Sequence, residues 1–162
     1  MRPELVLAAL GAALLVSSCG ASEDDTAGYG HVEVTDLRED ATAHFTAESA
    51  VVAARLVLRD NGCVNVEIDG TEHVPLWPEG TRVEQDGDDL DRYEVELSNG
   101  FVLAVAGAHG DAFTANGVVD SASVPLTSDD EGGKVGSLVG YCEATGAPVA
   151  FFDAASFEHV DA

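Results

Sequence analysis

Positive charge is what this 162-residue chain has least of. Seven Lys plus Arg stand against 30 Asp plus Glu, and Lys134 is the single lysine, so the formal charge is -23. Nucleic-acid binding needs clustered Lys and Arg that displace counterions from phosphates, and this composition argues against it. Electrostatic docking on anionic lipid fails on the same ground. Long apolar runs are missing too. The stretch Leu5 to Val16 is uncharged and rich in Leu, Ala and Val, but it falls short of the roughly 20 residues that span a bilayer. Tryptophan occurs once, so Trp77 alone offers an indole for stacking. With 46% apolar residues the chain can still bury a core of ordinary domain size, which argues against wholesale disorder.

Motifs of catalysis and cofactor binding are equally sparse. There is no Cys-x-x-Cys and no His at ligand spacing from a cysteine. His31, His44, His73, His109 and His159 include no pair three or four residues apart, and ordinary surface or core histidines are expected. His109-Gly110-Asp111 has the means to orient an imidazole, yet no nucleophile elbow accompanies it, and Ser137 in Gly136-Ser137-Leu138-Val139-Gly140 has the wrong spacing. Gly132-Gly133-Lys134 is followed by Val135 where a phosphate loop needs Ser or Thr. No cofactor is indicated, and the expectation is a protein that is not an enzyme.

Asp86-Gly87-Asp88-Asp89-Leu90-Asp91 is the densest acidic segment. Asp86, Asp88, Asp89 and Asp91 are the weak candidates for calcium ligands. Measured against an EF-hand loop begun at Asp86, Leu90 occupies position five, Asp91 stands where Gly is needed, and Leu97 replaces the bidentate Glu. A solvated acidic hairpin loop is therefore the leading expectation, and the same holds for Asp129-Asp130-Glu131.

At the start of the chain, Arg2 and the apolar run have the layout of a signal peptide. The run ends in Leu15-Val16-Ser17-Ser18-Cys19-Gly20, which resembles the lipobox of bacterial lipoproteins, although Val16 stands where Leu is more usual and Glu4 dilutes the basic end. The resemblance implies cleavage before Cys19 and a diacylglyceryl group on its thiol. Two acyl chains, at about 0.8 kcal/mol per buried methylene, make a stable anchor. The implied organisation is a lipoprotein signal peptide over 1–18, a lipidated Cys19 with an acidic linker over 19–30, and one β-rich extracytoplasmic domain over 31–162.

With Cys19 so assigned, Cys63 and Cys142 remain as an even pair in an oxidising compartment, and a disulfide between them is expected. It would close a loop of about 80 residues, for which chain entropy gives roughly 4.5 kcal/mol. Two buried free thiols are the other possibility.

The body of the chain has the pattern of strands. The second half of Val51–Arg59 leans to strand, whereas residues 40–54 are Ala-rich and equally compatible with a helix. Cys63 to Ile68 alternates at period two, Asp69-Gly70 suits a tight hairpin turn, and Thr71 to Trp77 returns as the partner strand, with Pro75 and Pro78 restricting it to an edge or a bulge. Tyr93, Val95 and Leu97 alternate with polar residues up to a two-residue turn at Asn99-Gly100, and Phe101 to Ala106 follows as a strand buried on both faces. Ser137–Cys142 and Pro148–Phe152 are expected as the last strands, with Phe157–Val160 completing them. The fold class is all-β, mainly antiparallel: a sandwich or a small β-barrel of five to six strands, the barrel being favoured.

Leu56-Val57-Leu58-Arg59-Asp60-Asn61-Gly62-Cys63-Val64, with Val74-Pro75-Leu76-Trp77-Pro78-Glu79-Gly80-Thr81, resembles a pattern in uncharacterised lipoproteins of high-GC Gram-positive bacteria. The resemblance implies an OB-like barrel and an envelope address, and it brings no activity with it. Trp77 is expected first as a core residue and second as a binding surface. The functional expectation is a lipid-anchored cell-envelope protein at the extracytoplasmic face of the membrane, held through Cys19, that binds an envelope protein or small ligand and no nucleic acid. The alternative is an anchored hydrolase or a calcium-dependent module using the acidic loop 86–91.

Overall fold

A computed structural model describes residues 30–39, 41–87, 91–122, 126 and 133–160. In chain order its strands are β1 (Val32–Glu33), β2 (Ala50–Leu58), β3 (Val64–Ile68), β4 (Thr71–His73), β5 (Pro75–Trp77), β6 (Arg82–Gln85), β7 (Arg92–Glu96), β8 (Val102–Ala106) and β9 (His109–Val119). A helix, α1 (Lys134–Cys142), and two short strands, β10 (Val149–Phe151) and β11 (Glu158–His159), follow. The expected signal peptide and Cys19 lie outside the described residues, as does Asp129-Asp130-Glu131.

The strands form one sheet in the order β1-β5-β10-β9-β2-β3-β4, with β6, β7 and β8 as a meander running into β9. Two expectations are corrected. Among the described residues there are eleven strands, not five or six, and the sheet is mixed because β5 runs parallel to both β1 and β10. The extra strands arise because β9 pairs with β2 along one edge, while β10, β11 and β8 divide the other edge among them. Val74 alone links β4 to β5, although several strands separate them in the sheet. A flat sheet cannot satisfy that link, and the sheet curls into a half-barrel.

Pro75 explains the break at Val74. Thr71–His73 pairs with β3 through the Asp69-Gly70 turn, both of whose residues have positive φ. Pro75 has no N–H with which to continue that ladder, so the chain leaves β3 and passes between β1 and β10. The proline is thus the first residue of an interior strand, not part of an edge strand, and a first position is one that tolerates it.

Ser137–Cys142, expected as a strand, belongs to α1. Val135, Leu138, Val139 and Cys142 recur at helical spacing and line one face. Gly136 and Gly140 each cost the helix about 1 kcal/mol relative to Ala, which masks its propensity, and packing against the sheet overrides that cost. Phe101–Ala106, expected to be buried on both faces, instead alternates: Leu103 and Val105 are buried, and Val102, Ala104 and Ala106 are exposed. In the ambiguous stretch 40–54, the described residues form a 3-10 turn at Thr42–Phe45 and then enter β2.

The inner face of the half-barrel is aromatic. Trp77 stacks on Phe151 with ring centroids 5.9 Å apart, and Phe113 stacks on Phe157 at 5.3 Å. Burial of each large side chain contributes roughly 1.5–3 kcal/mol. On the opposite face Val32, Leu76, Val118 and Ala150 pack against Val135 and Phe45. Strands β5 and β10 are therefore covered on both sides, as parallel strands require. Among the described residues no helix is long and apolar enough to cross a membrane.

Candidate functional site

Cys63, at the start of β3, and Cys142, at the end of α1, form a disulfide with an S–S distance of 2.03 Å. Around it the loop between β2 and β3 receives the C-terminal end of α1. Helix C-termini leave carbonyls without intrahelical partners, and here side chains from the opposite segment supply the donors. Asn61 Nδ2 donates to Tyr141 O at 2.9 Å, Asn65 Nδ2 to Cys142 O at 3.3 Å, and Arg59 Nη2 to Glu143 O at 2.6 Å. The arginine also places a positive charge at the negative end of the helix dipole. Asn65 is wholly buried, and the same Nδ2 reaches Glu72 Oε1 at 2.5 Å. Arg59 Nε lies 3.0 Å from that carboxylate oxygen, so Glu72 joins the two side chains.

Of these residues Arg59, Asn61, Glu72 and Glu143 line an open cleft of about 430 Å³. Arg59, Asp60, Asn61 and Glu72 line it from the hairpin side, His109 from the β8–β9 turn, and Glu143 from the end of α1. His109 arrives there through an irregularity in β9: Arg55 is opposite Ala112 but Val57 is opposite His109, which inserts one extra residue on the β9 side. Gly110 is needed inside that bulge. A Cβ there would lie 2.4 Å from the Ala104 carbonyl oxygen and 2.6 Å from Val105. Asp111, considered above as an orienting group for His109, has its Oδ2 accepting the Ala104 N–H at 2.8 Å.

Glu143 ends α1 with φ 47° and ψ 40°, a left-handed conformation that usually falls to Gly. With Asp60 and Glu72 it gives the cleft three carboxyl groups, against the Arg59 guanidinium. The arrangement suits a ligand that carries positive charge or several hydrogen-bond donors.

Other residues singled out in the sequence lie elsewhere. Trp77 is 1% exposed and belongs to the core, which removes it as a binding surface. Asp86 lies 3.8 Å from Arg92 Nε and serves the β6–β7 hairpin, while the carbonyl of Asp91 accepts Gly107 N–H at 2.8 Å and extends the β7–β8 pairing. Asp88 and Asp89 lie outside the described residues. Among the described residues no group of three His, Cys, Asp or Glu side chains is disposed to hold a metal ion. His31 faces Glu33, His73 Nδ1 lies 2.6 Å from Ala147 O, and His159 stacks on Phe101.

A second polar cluster gave no signal in the sequence. The Asp120 side chain is fully buried and accepts the N–H groups of Ala122 and Leu126, while His44 Nδ1 lies 3.0 Å from its Oδ2. His44 and Asp120 are 76 residues apart, and no local pattern joins them.

At the N-terminal end of α1, Lys134 Nζ meets Asp36 Oδ2 at 2.7 Å. Burial pushes the Asp36 carboxyl up, but the Glu33 N–H and the Lys134 ammonium outweigh it and leave the group below the ordinary carboxylate range. Comparison with known proteins returned no match to this chain among family models, curated proteins or solved structures.

Proposed function

We propose that this protein is exported, anchored through lipid on Cys19 at the extracytoplasmic face of a cell membrane, and acts there as a non-catalytic binding module. The observation that supports this address is the Cys63–Cys142 disulfide, because such bridges persist in oxidising compartments and are rare in the cytosol. The lipobox-like Leu15 to Gly20 segment supplies the point of attachment. The cleft of Arg59, Asp60, Glu72, His109 and Glu143 is the surface we assign to a small ligand or an envelope partner.

Intact mass of the protein extracted from membranes of its host, with and without reductant and alkylation, tests the address. The expected species lacks residues 1–18, carries diacylglyceryl mass on Cys19, and is alkylated at Cys63 and Cys142 only after reduction. An unlipidated chain, or thiols that alkylate freely, overturns it. In the alternative, His109 or the acidic loop 86–91 carries hydrolase or calcium chemistry. A melting midpoint that does not move in millimolar calcium eliminates the metal, and an activity that survives His109→Ala acquits that residue.

A further inference from the structure

Sheet edges are templates for another strand, and proteins blunt them with charge, shortness or a covering segment. Several edges of this half-barrel are treated so. Gly146 N donates to Glu72 O at 2.7 Å, so the segment after α1 covers β4. The edge strand β6 carries exposed Arg82 and Glu84, and β1 and β11 are each two residues long. One edge has none of these devices.

Strand β2 pairs with β9 from Ala50 onward, but β3 reaches back only to Ala54. The far edge of Ala50-Val51-Val52-Ala53 therefore has no partner strand among the described residues. In an antiparallel ladder alternate residues direct their backbone groups to the same side. Arg59 N–H donates to Cys63 O on the β3 side, so counting back by twos gives Val57, Arg55, Ala53 and Val51 the same direction. Ala53 and Val51 thus present N–H and C=O groups at the open edge that have no backbone partner among the described residues. The four residues include no charge and no proline, and Val51 is 72% exposed, more than any other large apolar side chain described.

Charge selects the occupant. Glu48 leads into this edge, and Asp69 sits at the turn next to Ile68, the residue opposite Ala54. Arg55 is opposite Glu67 in the β2–β3 ladder, beyond the open stretch. A second copy would bring another -23 of charge and four uncharged residues in place of a complement. We propose that the Ala50–Ala53 edge of β2 is a docking site for an extended basic segment of another protein, which adds as a strand beside β2. Main-chain hydrogen bonds would supply the affinity, an aliphatic residue would cover Val51, and Lys or Arg would face Glu48 and Asp69. The inference takes up the binding-module function proposed above but is independent of the lipid anchor, so the mass measurement and the following experiment can fail separately.

The probe is a labelled peptide of alternating Lys and Val, titrated by fluorescence anisotropy into the disulfide-intact full chain. Saturable binding is expected, with new hydrogen-exchange protection at the Val51 and Ala53 amides. Ala53→Pro removes an edge donor without touching the β9 ladder and should weaken binding by about tenfold or more, as should N-methylation of alternate peptide amides. Should Ala53→Pro fail to fold, Val51→Lys at the exposed side chain replaces it, with the same weakening expected. Glu48→Gln with Asp69→Asn should flatten the dependence on salt. Equal affinity for a folded edge variant, or for a peptide of alternating Glu and Val, overturns the proposal. Self-association of the free chain that Ala53→Pro abolishes would assign the edge to a second copy and overturn it as well.

Discussion

Asn61 and Asn99 occupy equivalent places in two hairpin loops and make equivalent pairs of hydrogen bonds. Each precedes a glycine with positive φ, Gly62 and Gly100. Each accepts, on Oδ1, the N–H two residues on: Cys63 N at 3.2 Å and Phe101 N at 2.9 Å. Each donates from Nδ2 to a carbonyl late in the chain: Tyr141 O at 2.9 Å and Ala154 O at 2.8 Å. One residue type therefore shapes its own turn and holds the C-terminal segment to it. Replacing either Asn by Ala should cost about 1–2 kcal/mol, at roughly 1 kcal/mol per net hydrogen bond. Asn99→Asp keeps the acceptor, removes the donor, and should recover about half of that loss in urea denaturation.

The disulfide has a larger effect. Cys63 and Cys142 are separated by 79 positions, and Cys63→Ala with Cys142→Ala should lower stability by about 2–5 kcal/mol. The carbonyls of Tyr141, Cys142 and Glu143 keep their donors from Asn61, Asn65 and Arg59, so α1 should still dock. Calorimetry would report the loss, and far-ultraviolet circular dichroism of the folded variant should be little changed.

Glu143 invites the opposite change. Its left-handed backbone costs a residue with a Cβ about 1–2 kcal/mol, whereas glycine adopts it freely. Glu143→Gly should raise stability by up to about 1 kcal/mol, since Arg59 bonds only to the carbonyl of this residue. If the cleft binds a cationic ligand, the same substitution should weaken that binding. Paired thermal melts and titrations would show both effects.

Asp36 gives the stability a pH signature. Its folded-state pKa lies below the ordinary value of 3.8, so the stabilisation is present above that value and is lost as pH falls through the folded pKa. Asp36→Asn should therefore be less stable than the parent at neutral pH and equal to it in strong acid. Lys134 is more than half exposed, so the difference should be modest and should shrink with added salt. Chemical denaturation across the acid range would test both.

Local chemistry was legible in the sequence. Asp69-Gly70 turns as expected because both residues accept positive φ. The hairpin at Asn99-Gly100 is present, but its loop contains one more residue: Leu97 and Phe101 close it, with Gly100 in the bulge position that a type I turn needs. The disulfide was legible because cysteine arithmetic is independent of topology. Helix α1 was hidden because Gly136, Gly140 and β-branched Val135 and Val139 argue against a helix that only the sheet and the bridge can stabilise. The parallel strands were hidden because β1, β5 and β10 are two or three residues long, too short for a period to register. The cleft was partly visible in His109, but its other walls meet across more than 80 residues of chain, as Arg59 and Glu143 show.

The cross-link between β3 and α1 makes a covalent ring of the chain from Cys63 to Cys142. Strands β3 to β9 all lie on that ring. A single cut at any peptide bond within it opens the ring without parting the molecule, and both fragments travel together until the sulfurs are reduced. Proteolytic damage to most of the sheet is thus invisible on a non-reducing gel.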